Sequence, residues 1–243
     1  ESPDFLSDAR FMIQALMPPK DFKVGWRDEG FEAAVLQNEK TTFLLFVGQP
    51  QPLDYARVIA DSTTSGFAPT QMTLPTEMAR TLKLEGGMEF HYLVRHHPFP
   101  PQPVFAGASV VEPGDCDAEI ERFLQTASPD AAVKPGNPEI DFWVLVRDSH
   151  HNVIAASAGV TWQSGAKNVN SVAVAENSRR RGLGTLVTIM ACQQHFAQGA
   201  HRVALGVRAS NRGALALYRE LGFDEDYAMT SIRMHDVQSS PVH

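Results

Sequence analysis

The sequence predicts an α/β protein of the α+β type, built in two parts. Three observations carry this. Short apolar stretches of period two alternate with amphipathic stretches of period 3.6 along the chain. Glycine, proline and asparagine punctuate them as turn and stop signals. The stretch H-P-F-P-P-Q-P, residues 97–103, has four prolines in seven residues. That suits neither helix nor central strand and reads as an extended connector. It separates an N-terminal α/β domain, residues 1–100, from a second domain, residues 104–236.

In the first part, Phe5, Phe11, Ile13 and Leu16 suggest an opening helix, ended by Pro18 and Pro19. Residues 22–26, 31–37 and 42–47 read as strands, with turns at 28–30 and 38–40. Residues 53–62 and 76–84 read as helices, each behind a Pro or Thr cap signal, and 88–95 as another strand.

In the second part, residues 104–111 are the first strand. Asp115 is expected to cap a helix over 118–127, and 128–138 is loop. Residues 142–147 and 153–162 read as strands joined by the turn D-S-H-H-N. The next strand ends in Val172 and Val174, alternating with Ala173 and Ala175. Asn177 and Ser178 are good helix N-caps. Leu183, Leu186, Val187 and Met190 then fall at i, i+3, i+4, i+7 on one helix face, and Gly199 is a stop signal. A strand follows at 202–208. Ser210 or Asn211 caps a last helix with the stripe Ala214, Leu217, Tyr218, Leu221 and a stop at Gly222.

Bulk properties exclude several classes. The 243 residues are 43% hydrophobic and 20% charged, ordinary values for a globular chain. A net charge of −7 argues against nonspecific nucleic-acid binding. No apolar run reaches the roughly 20 residues that span a bilayer. No basic and apolar leader is visible, so a cytoplasmic location is expected. Two cysteines do not make a disulfide framework. Nine histidines show no H-E-x-x-H or Cys/His spacing, so no metal is expected.

The chemistry concentrates in Ser171 to Gly184, S-V-A-V-A-E-N-S-R-R-R-G-L-G. Here three arginines and two glycines sit at a helix start, where unpaired N–H groups and the positive dipole end favour an anion. Gly182 and Gly184 let a bulky ligand approach the backbone. Arginine forks suit phosphate and are unfavourable beside a bare helix N-terminus, so three in a row invite a bound anion. The plain alternative is a capped helix with a basic first turn. The dinucleotide fingerprint fails because Val187 stands where its third glycine belongs, and the P-loop fails for want of its lysine.

The order R-x-x-G-x-G at Arg179, Gly182 and Gly184 resembles the coenzyme A signature of the GNAT superfamily of N-acetyltransferases. The segment from Asn211 to Phe223 fills every position of its second pattern, N-x-x-A-x-x-x-Y-x-x-x-G-F. The resemblance covers about residues 141–236 and extends weakly from about 104. It implies a mixed, mostly antiparallel twisted sheet flanked by helices, and acetyl-CoA (coenzyme A) as co-substrate without a metal. It implies that Val172, Ala173 and Val174 offer backbone groups to the pantetheine arm. Arg179, Arg180, Arg181, Gly182, Leu183, Gly184 and Thr185 wrap the pyrophosphate. Asn211, with Ala214 beside it, contacts the cofactor from the second helix. Tyr218 lies near the thioester sulfur and protonates the departing thiolate, a phenol of pKa about 10 serving a thiol of pKa about 8.5. The same stripe suits a core aromatic whose hydroxyl bonds a carbonyl. An oxyanion donor is expected at the Val174 N–H.

The implied reaction is direct attack of a primary amine, on a small-molecule or amino-acid-like acceptor, on the thioester. Alternatives are a noncatalytic acyl-CoA sensor, a longer acyl donor, or a peptide or protein amine. The family's carboxylate base is missing from strand 168–175, which leaves Glu139, Asp141, His150 and His151 as candidates without an assignment. Strand edges make a homodimer an expectation of the resemblance. The element order of the first part resembles a degenerate second GNAT-like unit, but R-x-x-G-x-G is absent from it.

Overall fold

The computed structural model describes residues 21–37, 41–101, 105–162 and 165–237. They form one eleven-stranded sheet with helices on both faces, the mixed and mostly antiparallel architecture expected. The predicted opening helix and Val104 lie outside the described residues.

The first half is β1 (Asp21–Asp28), β2 (Phe31–Gln37), β3 (Thr42–Gly48), α1 (Pro52–Thr64), β4 (Gln71–Pro75), α2 (Thr76–Thr81) and β5 (Met88–Arg95). The second is β6 (Ala108–Val111), α3 (Asp117–Ala127), β7 (Ile140–Arg147), β8 (Val153–Thr161) and β9 (Lys167–Val174). There follow α4 (Leu183–Ala197), β10 (Val203–Arg208), α5 (Arg212–Glu220), β11 (Glu225–Arg233) and α6 (Met234–Val237). β2 and β3 read as continuous apolar runs because both of their faces are covered.

The strand order is β1-β2-β3-β4-β11-β5-β10-β9-β8-β7-β6. β5, from the first half, is thus inserted between β10 and β11. β11, from the second, is inserted between β4 and β5. The exchange is reciprocal, and β11 pairs antiparallel with both β4 and β5. Around this centre the element order repeats: β1-β2-β3-α1-β4-α2-β5 matches β7-β8-β9-α4-β10-α5-β11. β3–β4 and β9–β10 are parallel pairs in both. One face of the sheet carries a core continuous through both halves, with Phe43, Phe90, Tyr92 and Trp143. On the other face, α4 and α5 cover one core and α1 and α2 a second.

Four expectations need correction. β4 was not foreseen. Its five residues end in proline, too few to show a period. Asp115 does not cap α3; Cys116 is the N-cap residue, and the Asp117 carboxylate instead receives the Gly114 N–H at 3.1 Å. Asn177 and Ser178 do not cap α4 either. They form a separate 3-10 turn, Glu176–Ser178, because Arg180 and Gly182 turn left-handed (φ 59° and 76°) and postpone the helix to Leu183. The first strand starts at Ala108, behind a left-handed Gly107.

The β7–β8 pairing sets Gly159 opposite Phe142, and the Phe142 ring fills the space a Cβ would need. Phe142 is fully buried and cannot yield. Gly159→Ala is expected to destabilise the fold by about 1–3 kcal/mol through overpacking, measured by urea denaturation.

Candidate active site

β9 and β10 start together and then part. Their parallel register has a single pair, Ala204 with Asn168, whereas the equivalent β3–β4 pair has three. β9 also carries a bulge. Ser171 has φ 50°, and the register with β8 slips between Ala156 and Ala158. The Ser171 hydroxyl donates to the Val133 carbonyl at 2.6 Å, tying the bulge to the loop after α3.

A cavity of about 600 Å³ occupies the gap. Its walls come from β9 (Val169 to Val172), β10 (Leu205 to Arg208), the start and body of α5 (Asn211, Ala214, Tyr218), the loop after α3 (Ser128, Asp130 to Ala132), Ser231 of β11, and β3, β4 and β5 of the first half. Buried side chains from both faces of the sheet line it: Phe90 belongs to one core and Tyr218 to the other. It therefore passes through the sheet where the strands diverge.

Backbone and side chains at the fork are held by buried polar contacts. The His195 imidazole on α4 contacts the Asn168 carbonyl through Nε2 at 3.0 Å, and the Asn168 amide donates to the Tyr92 hydroxyl at 3.2 Å. All three residues are fully buried. Burial lowers the His195 pKa to about 4, with the Asn168 carbonyl opposing. A histidine on a helix face crowded with aliphatics gave no sign of this in the sequence.

At the open end of β9, α4 begins with Gly182 as N-cap and has no side-chain cap. Its first N–H groups face outward without an acceptor from a capping side chain. Arg179, Arg180 and Arg181 are exposed and make no ion pair among the described residues; Arg179 Nε donates to the Val174 carbonyl at 3.4 Å. A Cβ on Gly182 would meet nothing, and one on Gly184 only ordinary contacts with Val174 and Leu217, so the backbone stands bare. This donor set fits a pyrophosphate: dipole end, free N–H groups and unpaired guanidinium forks. The matching end in the first half is closed. Gln51 and Asp54 form a capping box on α1, with Pro52 at its first turn.

The predicted residues fall into three groups. Val172, Asn211, Ala214 and Tyr218 meet in the 600 Å³ cavity. Arg180, Arg181, Gly182, Gly184 and Thr185 gather at the exposed or half-exposed start of α4. Ala173 and Leu183 turn their side chains into the core, leaving only backbone for a ligand, and Val174 is half-buried. Arg179 also lines a neighbouring cavity of about 760 Å³ with α3. The Asn211 side chain is already engaged, accepting the Ala214 N–H at 3.2 Å.

Tyr218 is 6% exposed and packs edge-on against Phe223, 5.9 Å between centroids. Its hydroxyl has no hydrogen-bond partner among the described residues, unlike a core tyrosine satisfied by a carbonyl. Burial, with Cys192 adding to it, pushes its pKa up to about 12. None of Glu139, Asp141, His150 and His151 lines the cavity. Asp141 accepts from the Thr161 hydroxyl and pairs with Lys167 at 3.5 Å, and the two histidines are exposed in the hairpin turn. Among the described residues no group of three or more His, Cys, Asp or Glu could hold a metal. No described helix is long and apolar enough to cross a membrane.

The sheet thus forks between two parallel strands, and an uncapped glycine-started helix lies beyond the fork. Residues 115–223 match the model of the Acetyltransferase (GNAT) family. Family members use acetyl-CoA as co-substrate. The chain is similar to the GCN5-related N-acetyltransferase from Kribbella flavida at 20% identity and TM-score 0.57, over 94% of this chain and 93% of that one. It is similar to the GCN5-related N-acetyltransferase from Sphaerobacter thermophilus at 17% and 0.56, over 84% and 77%. A GNAT-family structure from Novosphingobium aromaticivorans matches at 19% and 0.52, over 60% of this chain and 64% of that one, under two thirds of its length. At these identities the likeness shows the fold. No curated protein matches the sequence.

Proposed function

We propose that the protein transfers an acetyl group from acetyl-CoA to the primary amine of a small or amino-acid-like acceptor by direct attack. The observation that carries this is the cavity at the fork, lined by Tyr218, whose hydroxyl has no partner among the described residues, together with the uncapped start of α4 beyond the end of β9. In this reading residues 179–185 hold the pyrophosphate, and Val172 and Val174 present backbone to the pantetheine arm. The thioester supplies an electrophilic carbonyl and a sulfur leaving group.

Tyr218 donates a hydrogen bond to that sulfur as the C–S bond breaks. With its pKa near 12 against about 8.5 for a thiol, handing over the proton outright is uphill by roughly 5 kcal/mol. The phenol therefore stabilises the developing thiolate, and the proton that neutralises it comes from the attacking nitrogen. The first half, whose repeat is zipped at β3–β4 and capped at α1, serves as a second unit without a cofactor site that walls the acceptor side. The acceptor is a small molecule, and the protein works in the cytoplasm.

Calorimetric titration with acetyl-CoA, followed by thiol release with a panel of amines, tests this. Saturable binding with amine-dependent release is the expected result. Binding without release from any amine would instead favour a sensor. Arg180→Ala combined with Arg181→Ala is expected to weaken acetyl-CoA binding by about tenfold or more, since each charged contact is worth about 1.5–3 kcal/mol. The variant's melting temperature should stay unchanged.

A further inference from the structure

We infer that the acceptor is an α-amino acid with an aromatic or long apolar side chain, its carboxylate held by Arg208. This rests on the acyl-transfer reading and names the substrate class of the same cavity.

Strand register lays out the cavity floor. Arg208 is opposite Phe90 across β10 and β5. Met88 is opposite Ser231 across β5 and β11. Ser231 is opposite Thr73 across β11 and β4, and Phe43 pairs with Gln71 across β3 and β4. Opposed residues in a sheet share a face. Arg208, Phe90, Met88, Ser231, Gln71 and Phe43 all line the cavity. At about 4.8 Å between neighbouring strands, the four steps from β10 to β3 make a floor roughly 19 Å long. It begins with a cation, continues over Phe90 and Met88, crosses the polar pair Gln71 and Ser231, and ends at Phe43. At its centre the Gln71 amide donates to the Ser231 hydroxyl at 2.7 Å.

Arg208 is the one cation among the lining residues, and Asp130 the one carboxylate. They stand 4.0 Å apart with side chains 59% and 83% exposed, a loose and solvent-screened pair. A substrate carboxylate can take Asp130's place and form a two-pronged bond with the guanidinium. Arg208 is the last residue of β10, directly before the turn into the helix that carries Tyr218. A carboxylate at Arg208 thus leaves an α-amino group at the Tyr218 end, next to the fork. The side chain then runs along Phe90 and Met88 toward Phe43. Met88 is 48% exposed, an apolar side chain open to such a body.

The test compares thiol release with phenylalanine, phenethylamine and glycine, for the wild type and Arg208→Gln. Phenethylamine lacks the carboxylate, and glycine lacks the apolar body. In the wild type phenylalanine should exceed both in kcat/KM by about tenfold or more, as expected when a charged hydrogen bond or a buried ring is lost. Arg208→Gln should bring phenylalanine down to the phenethylamine level, leaving acetyl-CoA affinity and melting temperature unchanged. Equal or faster turnover of phenethylamine would overturn the inference, as would turnover of none of the three by a protein that binds acetyl-CoA. Loss of acetyl-CoA affinity in Arg208→Gln would overturn it too, by placing Arg208 in the donor site. Failure of the wild type to bind acetyl-CoA would defeat the acyl-transfer reading and the inference with it.

Discussion

Tyr218→Phe is expected to lower kcat by about 10²-fold, the lower end of what one hydrogen-bond donor to a developing negative charge contributes, while acetyl-CoA binds as tightly as before. The two side chains differ by one oxygen atom. That oxygen has no partner in the chain among the described residues, so its removal leaves no orphaned group behind. The ring keeps its edge contact with Phe223, and the stability of the variant should match the wild type. The effect therefore falls on the bond-breaking step alone. Since burial raises the phenol to about 12, wild-type kcat should hold its value up to about pH 10 with no alkaline loss from tyrosine ionisation. Steady-state kinetics from pH 7 to 10 with a calorimetric Kd measure both. An unchanged kcat would remove Tyr218 from the mechanism.

The second large effect is on acid stability. In the unfolded chain the His195 imidazole titrates near 6.5; in the folded protein burial holds it down at about 4. Between these values the unfolded chain binds a proton that the folded protein refuses, so acid favours unfolding. Stability is intact above about pH 6.5 and falls as pH drops toward 4, by roughly 3 kcal/mol at 1.36 kcal/mol per unit. His195→Gln keeps a donor for the Asn168 carbonyl and has nothing to titrate. Urea unfolding at pH 7 and pH 4 should show the variant losing roughly 3 kcal/mol less than the wild type. Equal losses would mean that the imidazole is protonated in place. Because His195 sits where β9 and β10 separate, acid should also loosen the fork between them before the rest of the sheet.

The helices and the glycine-bearing start of α4 were legible for local reasons. The i, i+3, i+4, i+7 stripe of α4 and the glycine stops at Gly199 and Gly222 are written within a few residues. The Tyr218 stripe was equally local, and the cavity explains why one of its members is not simply core. What escaped depends on distance along the chain. Phe90, Met88 and Ser231 read as ordinary strand residues; only the sheet order makes them the floor of a cavity. Arg208 closed a strand and carried no motif. The Asn168–His195 contact spans 27 residues and has no periodic signature. β4 failed for the opposite reason, being too short to show any pattern.

The crossed placement of β5 and β11 has a consequence for how the molecule is made. Glu225, where β11 begins, lies 130 residues beyond Arg95, where β5 ends. As the chain leaves the ribosome, β4 and β5 emerge well before β11, the strand that belongs between them. Until then neither half can close its hydrogen-bond ladder, and the waiting edges are open to other chains. Such distant pairings also slow folding, because the loop must close before the contacts reward it. Maturation is therefore a single late event, and neither half should survive as a separately expressed fragment.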